Sequence, residues 1–359
     1  MLPDRPFLNV ARAWFALLVA GLIAGCSFIG SPSPSAPDRL VLLTHDSFDV
    51  SDSVLDAFRQ AHGVNVEILK GGDAGEMVNK AILTRDAPLA DVLYGVDNTF
   101  LSRALEGGIF DPYTAAAANE VPADLTAGTN GAVTPIDYGD VCLNYDMEAF
   151  GSAIPAPAML EDLTDPRYKG MLVVENPATS SPGLAFLLAT IGRFGSDGDY
   201  TWRDYWTELR ANEVLVENDW DTAYYTSFSG GAGEGDRPIV VSYATSPAAE
   251  VVFADPPVSS PSTSVVTDGC FRQVEYAGVL RGAKAPELAR RFIDFMLSTD
   301  FQADIPLKMF VFPANAQATV PDVFVANAAA VTGPVVMDPA TIAANRDAWV
   351  EEWTDVVIH

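Results

Sequence analysis

Basic side chains are scarce in this 359-residue chain: 21 Lys and Arg against 48 Asp and Glu leave a net charge of −27. So large a negative potential argues against nucleic acid or an anionic membrane surface as the main partner. It suits a cationic ligand, and equally a surface that is simply soluble and acidic. Histidine and cysteine number three each. None of His45, His62 and His359 stands at ligand spacing from a cysteine, so no metal centre is expected, and no cofactor. G-x-S-x-G, H-E-x-x-H and the phosphate-loop pattern are all missing, so no nucleophile–base pair is legible, although carboxylates alone can catalyse. The glycine-rich run at 230–235 precedes a strand rather than opening a helix, and reads as a hairpin or flexible loop. With 49% hydrophobic residues and 19% charged, the chain is too apolar for disorder and long enough for two lobes of ordinary size.

Long hydrophobic runs are missing apart from one. Arg5 and Arg12 provide a basic flank, and residues 13–24 form an apolar run too short to span a bilayer as a mature helix. The run ends in Ile23-Ala24-Gly25-Cys26, which resembles the bacterial lipobox, where a Cys is lipidated and becomes the new N-terminus. Residues 1–25 are therefore expected to be a lipoprotein signal peptide, with Cys26 the lipidated residue; a secretory peptide with an incidental Cys is the alternative. The Pro/Ser stretch that follows packs no core, which makes 26–38 a tether. Outside the cytoplasm thiols pair, so Cys142 and Cys270 are disulfide candidates, the other reading being two small buried apolar residues.

From residue 40 the pattern alternates. Strands are expected at 40–44, 64–69 and 91–96, each followed by a helical stripe: Val54, Leu55, Phe58 and Ala61; Met77, Val78, Ala81 and Ile82; Phe100, Leu101, Ala104 and Leu105. Such a βαβαβα run calls for a parallel sheet covered by helices on both faces, an α/β fold. Further strands are expected at 141–145, 171–174, 214–217, 239–243 and 271–280. Helices are expected at 183–193, 205–211, 286–297 and 339–357, with an exposed connection at 258–267.

Ligands of open α/β sheets sit beyond the carboxyl ends of the strands. That rule selects Asp46 and Ser47 after the first strand, Asp97 and Asn98 after the third, and Asp137 and Tyr138 leading into the next. Converging carboxylates favour a cation, whereas each Asp alone also reads as a helix cap. Ser180, Ser181 and Gly183 open an apolar helix, where hydroxyls and free N–H groups bind an anion or simply cap the helix. Trp220, Tyr224, Tyr243 and Ser246 lie in segments that set aromatics among polar residues. Aromatic faces stabilise organic cations by roughly 0.5–2 kcal/mol each.

These segments occur in order: Thr44-His45-Asp46-Ser47-Phe48, Gly95-Val96-Asp97-Asn98, Asp137-Tyr138-Gly139, Ser180-Ser181-Pro182-Gly183-Leu184, Ser242-Tyr243-Ala244-Thr245-Ser246-Pro247 and Ala348-Trp349-Val350-Glu351-Glu352-Trp353. The ordered set, spanning about residues 40–356, resembles the solute receptors of bacterial thiamine ABC transporters. The resemblance implies a two-lobed periplasmic-binding-protein fold, type II-like, with a hinge between lobes. Residues 39–139 and 271–313 would form lobe 1, and 140–270 and 314–359 lobe 2. It implies a monomeric extracytoplasmic receptor, not an enzyme, held to the cell membrane by its lipid alone and binding no nucleic acid. Such a receptor closes on thiamine or its phosphate esters and delivers them to an ABC transporter permease. Trp220 and Tyr243 would flank the ligand rings, Asp46 and Asp97 would face its cationic or amine groups, and Ser180, Ser181 and Gly183 would receive a phosphate. Ser47, Asn98, Asp137, Tyr138, Tyr224, Ser246 and Phe310 complete the expected ligand set. The family has Tyr where His45 stands, Trp where Phe310 stands and Tyr where Ala249 stands. A receptor for Fe³⁺ or a polyamine shares the architecture. A secreted carboxylate-dependent hydrolase and a structural surface lipoprotein without a ligand are alternatives of a different class.

Overall fold

The computed structural model describes residues 39–359; the expected signal peptide at 1–25, the tether at 26–38 and the lipidation site Cys26 lie outside them. β1 (Arg39–Thr44), α1 (Asp52–His62), β2 (Asn65–Lys70), α2 (Ala74–Leu83), β3 (Val92–Asp97) and α3 (Leu101–Glu106) follow the expected alternation. The reasons are local. Phe58 is the buried anchor of α1, and Gly63 ends that helix in the left-handed region at φ 72°, donating its N–H to the Arg59 carbonyl. β1 lies parallel between β2 and β3, and β3 is buried along its whole length.

Next come β4 (Phe110–Asp111), β5 (Thr134–Asp146), β6 (Leu172–Glu175), α4 (Ser181–Phe194), α5 (Trp202–Ala211) and β7 (Leu215–Glu217). A π-helical turn at Thr222–Ser227 leads to β8 (Ile239–Tyr243), α6 (Ser246–Phe253) and β9 (Thr263–Leu280). The chain ends with α7 (Pro286–Met296), α8 (Thr299–Lys308), β10 (Phe312–Pro313), α9 (Asp322–Asn327) and α10 (Pro339–Val357).

These strands form one sheet in the order β2-β1-β3-β9-β5-β8-β6-β7, with β4 added to β9 and β10 to β5. Its centre is the antiparallel pair β5 and β9, which are 13 and 18 residues long. Both exceed the expected strands. The expected exposed connection at 258–267 gives way to strand at Thr263, because residues 263–266 pair with 143–146. Residues 271–277 pair with 134–141, so Cys142 alone faces residues 267–270, a bulge that interrupts the ladder. A disulfide joins Cys142 to Cys270 across it, with Cα atoms 4.4 Å apart. β1 to β3 lie on one side of this pair and β6 to β8 on the other.

α10 packs on both halves. Trp353 meets Trp206 of α5 edge-on at 5.4 Å, and the Arg346 guanidinium lies 4.5 Å over the Phe100 ring. Among the described residues no helix is long and apolar enough to cross a membrane.

Candidate functional site

The segments that follow the carboxyl ends of β1, β2, β6, β7 and β8 line one cavity of about 260 Å³. This is where the sheet topology puts a ligand. One wall is aromatic. Trp220 stacks on Tyr224 at 4.9 Å with planes 21° apart, and Tyr225 and Tyr243 approach its ring edge-on at 5.6 and 6.4 Å. Its indole N–H donates to Ser242 Oγ at 3.0 Å, which fixes the ring plane. Gln273 donates to the Tyr243 hydroxyl at 3.0 Å. The π-helical turn brings Tyr224 and Tyr225 to the cavity together, a common use of this rare geometry.

Carboxylates line the cavity too: Asp73, Asp221 and Glu275. Asp73 caps α2, accepting from Ala74 N–H at 2.7 Å and from Trp220 N–H at 3.3 Å. Burial pushes its carboxyl up to about 6, against the pull of those donors and of the nearby His45. Ser47 Oγ donates to Asp221 Oδ1 at 2.7 Å, and Gly75 N–H to the Thr179 carbonyl at 2.8 Å. A Cβ on Gly75 would stand 2.7 Å from that carbonyl oxygen, so only glycine permits the approach.

Below the cavity lies a buried network. Tyr94 donates its hydroxyl proton to Asp137 at 2.5 Å and lies 3.1 Å from Glu275 Oε2. His45 Nε2 is 3.7 Å from Glu275 Oε1, an ion-pair separation. Burial pulls the imidazolium down, but the adjacent Glu275 carboxylate more than offsets this and His45 titrates above its ordinary value. Burial pushes Glu275 up, and the neighbouring His45, Asp137 and Tyr94 hold it below its ordinary value. Asp137 is raised well above the carboxylate range by burial and by the Glu275 charge. The pair thus keeps its negative charge on Glu275 and its proton on Asp137.

Seven of the expected ligand residues line the cavity: Ser47, Ser181, Trp220, Tyr224, Tyr243, Ser246 and Phe310. Phe310 does so at φ 53°, a left-handed conformation that costs a non-glycine residue about 1–2 kcal/mol. Its carbonyl accepts from the Thr245 hydroxyl, which helps to hold it there.

The other seven stand elsewhere. Asp97 is fully buried and its Oδ1 accepts from Thr99 N–H, Thr99 Oγ1 and Phe100 N–H, closing the turn that leads into α3; burial raises it to about 7. Asn98 bridges to β9 through the Arg272 carbonyl and Val274 N–H. Asp137 belongs to the network below the cavity. Tyr138 is wedged between Phe312, stacked at 5.5 Å, and the Arg272 guanidinium at 5.0 Å. Asp46 holds the Gly72 N–H at 3.1 Å. Ser180 is fully buried behind Asp73. Gly183 serves packing: a Cβ there would lie 2.4 Å from the Glu175 carbonyl oxygen. The backbone approach of α4 to β6, rather than an anion, explains that glycine.

The lining also contains residues outside the expected ligand set: Asp73, Asp221, Tyr225, Phe253, Glu275 and Lys308, with His45 and Ala249, two positions where the resembled family has Tyr. Asp73 follows Gly71-Gly72 and precedes an apolar helix, a signal that marks a cap as readily as a ligand. Ser181 Oγ is buried without a hydrogen-bond partner, and His45 Nε2 has none besides its ion-pair contact with Glu275. In a cavity wall such atoms are matched by what occupies the cavity. Among the described residues no group of three or more His, Cys, Asp or Glu side chains is arranged to hold a metal ion.

A family model for bacterial extracellular solute-binding proteins matches residues 87–333. The thiamine-binding periplasmic protein of Escherichia coli (strain K12) is 29% identical over 326 residues, which cover 89% of this chain and 93% of that protein. The protein of the same description from Brucella melitensis biotype 1 is 28% identical over 334 residues, covering 90% and 93%. Among solved structures, a periplasmic thiamin binding protein superposes with a TM-score of 0.76 at 28% identity, over 92% of this chain and 99% of that one. The two-lobed α/β architecture is common to both.

Proposed function

Because the chain belongs to the bacterial extracellular solute-binding protein family, we propose that it captures thiamine outside the cytoplasm and delivers it to an ABC importer. The observation that carries this reading is the Trp220–Tyr224 stack in a cavity that also presents Asp73, Asp221 and Glu275. Thiamine offers two flat rings, one a permanent thiazolium cation, and so matches an aromatic wall beside carboxylates. Ser181, unpartnered at the start of the 14-residue α4, suits the phosphate of a thiamine ester. Residues 39–139 with 271–313, and 140–270 with 314–359, act as the two lobes. They close about β5 and β9 and are held by contacts that both contribute. The protein works as a monomer, tethered through a lipid on Cys26, and turns over no substrate.

Calorimetric titration of the purified protein with thiamine, thiamine pyrophosphate, spermidine and ferric citrate tests the proposal. One-to-one binding of thiamine, weakened at least tenfold in Trp220→Ala, is expected from the loss of a stacking face. Heat with spermidine or ferric citrate and none with either thiamine compound would move the ligand to a polyamine or iron. Silence with all four, or sustained hydrolysis of the ester, would overturn the receptor reading.

A further inference from the structure

Phe253 is the most exposed aromatic ring of the cavity wall, at 64%. It ends α6, and Ser246, Ala249 and Phe253 stand at i, i+3 and i+7, one stripe of that helix turned to the cavity. Ala249 in the middle leaves the cavity its width, and the aromatic bulk comes at the helix end, where the cavity meets solvent. There Phe253 packs edge-on to Phe310, with ring centroids 5.0 Å apart and planes at 61°. Phe310 comes from a segment 57 positions along the chain, beyond β9, and its left-handed backbone is held by Thr245, one residue before the start of α6. The two rings are therefore tied to each other at both ends, by ring contact and by the Thr245 bond. A large apolar ring left two-thirds in water gains most when something flat covers it.

We infer that Phe253 closes the cavity mouth over the bound ligand. Packed against Phe310, it covers an aromatic ring of the solute and slows its escape. The inference rests on the proposed thiamine reading and deepens it, naming a residue that sets residence time. Closing a mouth acts on dissociation more than on association, as most affinity differences at one interface do.

Stopped-flow and calorimetric binding of thiamine to the purified protein and to Phe253→Ala, Phe253→Trp and Trp220→Ala test it. Phe253→Ala is expected to raise the dissociation rate about tenfold, equivalent to about 1.4 kcal/mol, with an association rate within twofold of the unaltered protein. Phe253→Trp is expected to restore slow release. Because Phe253 is exposed, the ligand-free melting temperature of Phe253→Ala should stay within a degree or two. Unchanged dissociation in Phe253→Ala, alongside the expected loss in Trp220→Ala, would overturn this inference alone. No thiamine binding by the unaltered protein would overturn it together with the proposed function.

Discussion

Asp73 gives the binding reaction a pH dependence whose sign and size follow from its surroundings. Its carboxyl titrates at about 6 because burial disfavours the charge more than the Ala74 and Trp220 donors and the nearby His45 favour it. A permanent cation binds best to the ionised form. Raising the pH through 6 therefore increases affinity, which levels off above about 7, and each unit below 6 costs about tenfold, or about 1.4 kcal/mol. Between pH 7 and pH 5 the apparent dissociation constant of thiamine should rise about tenfold from this group alone. His45 acts in the same direction: raised above its ordinary value by Glu275, it gains positive charge beside the ligand as the pH falls. Calorimetry from pH 5 to 7.5, in two buffers of different ionisation enthalpy, reads both the affinity and the protons exchanged. Asp73 should release about half a proton per ligand bound at pH 6 and almost none at pH 7.5, with any further release assigned to His45. Asp73→Asn, neutral throughout, should bind more weakly above pH 7 and keep only the part of the pH dependence that His45 supplies. A constant affinity from pH 5 to 7.5, or an undiminished pH dependence in Asp73→Asn, would refute the assignment.

Two other expectations concern stability. Glu175 is fully buried with both carboxyl oxygens unpartnered, and burial raises it well above the carboxylate range. A raised acid stabilises the fold below its unfolded value near 4.5 and loses that contribution as the pH rises, so Glu175→Gln should melt above the unaltered protein at pH 7.5. The gap should close near pH 4, and a gap that is equal at both pH values would count against the neutral, buried acid. The Cys142–Cys270 bond closes a loop of 128 positions, so its reduction should lower stability by roughly 2–4 kcal/mol. Urea denaturation with and without dithiothreitol measures this, and coincident midpoints would contradict it.

The elements most legible in the sequence were those with an unbroken or helically spaced apolar pattern. β1, β3 and α2 announce themselves through runs such as Leu40, Leu42 and Leu43 or Met77, Val78 and Ala81. β5 was foreshortened because Asp137 and Asp140 interrupt its apolar pattern, and β9 because Ser264, Thr267, Asp268 and Gly269 precede its apolar run; Gln273 and Glu275 lie inside the expected strand. Asp137, Asp140, Gln273 and Glu275 are buried in the sheet centre, where Asp137 and Glu275 bond to Tyr94, Asp140 to Arg272 and Gln273 to Tyr243. α8 was hidden by Pro306 within it. At the site, Trp220 and Tyr243 were legible because a large aromatic in a polar segment has few structural uses. Asp97 misled because a carboxylate after a strand reads alike whether it closes a turn or binds; the Thr99 and Phe100 donors give it the turn-closing role here. Glu275 and Phe253 carried no local signal, since one sits inside a strand and the other at the end of a short helix. Their roles arise only when β1, α6 and the 308–311 segment meet.

Asp73 also ties ligand charge to the union of the two halves of the sheet. Its Oδ2 accepts the Trp220 N–H from a segment beyond β7, while its Oδ1 caps α2 on the other side of β5 and β9. The Ser47–Asp221 and Gly75–Thr179 bonds span the same divide. A proton on Asp73 weakens it as an acceptor for Trp220 and removes the charge that attracts a cation. A cation in the cavity does the reverse: it lowers the proton affinity of Asp73 and so strengthens the bond that holds the aromatic wall in place. Ligand and closure are then linked through one carboxylate, each favouring the other by the same free energy. Burial favours the neutral forms of Asp137 and Glu175 and so removes them from this linkage, and Asp97 does not line the cavity. Discrimination among cations is therefore expected to rest on the cavity-wall carboxylates Asp73, Asp221 and Glu275 rather than on the net charge of −27, which acts over longer distances and is screened within about 10 Å at 0.1 M salt.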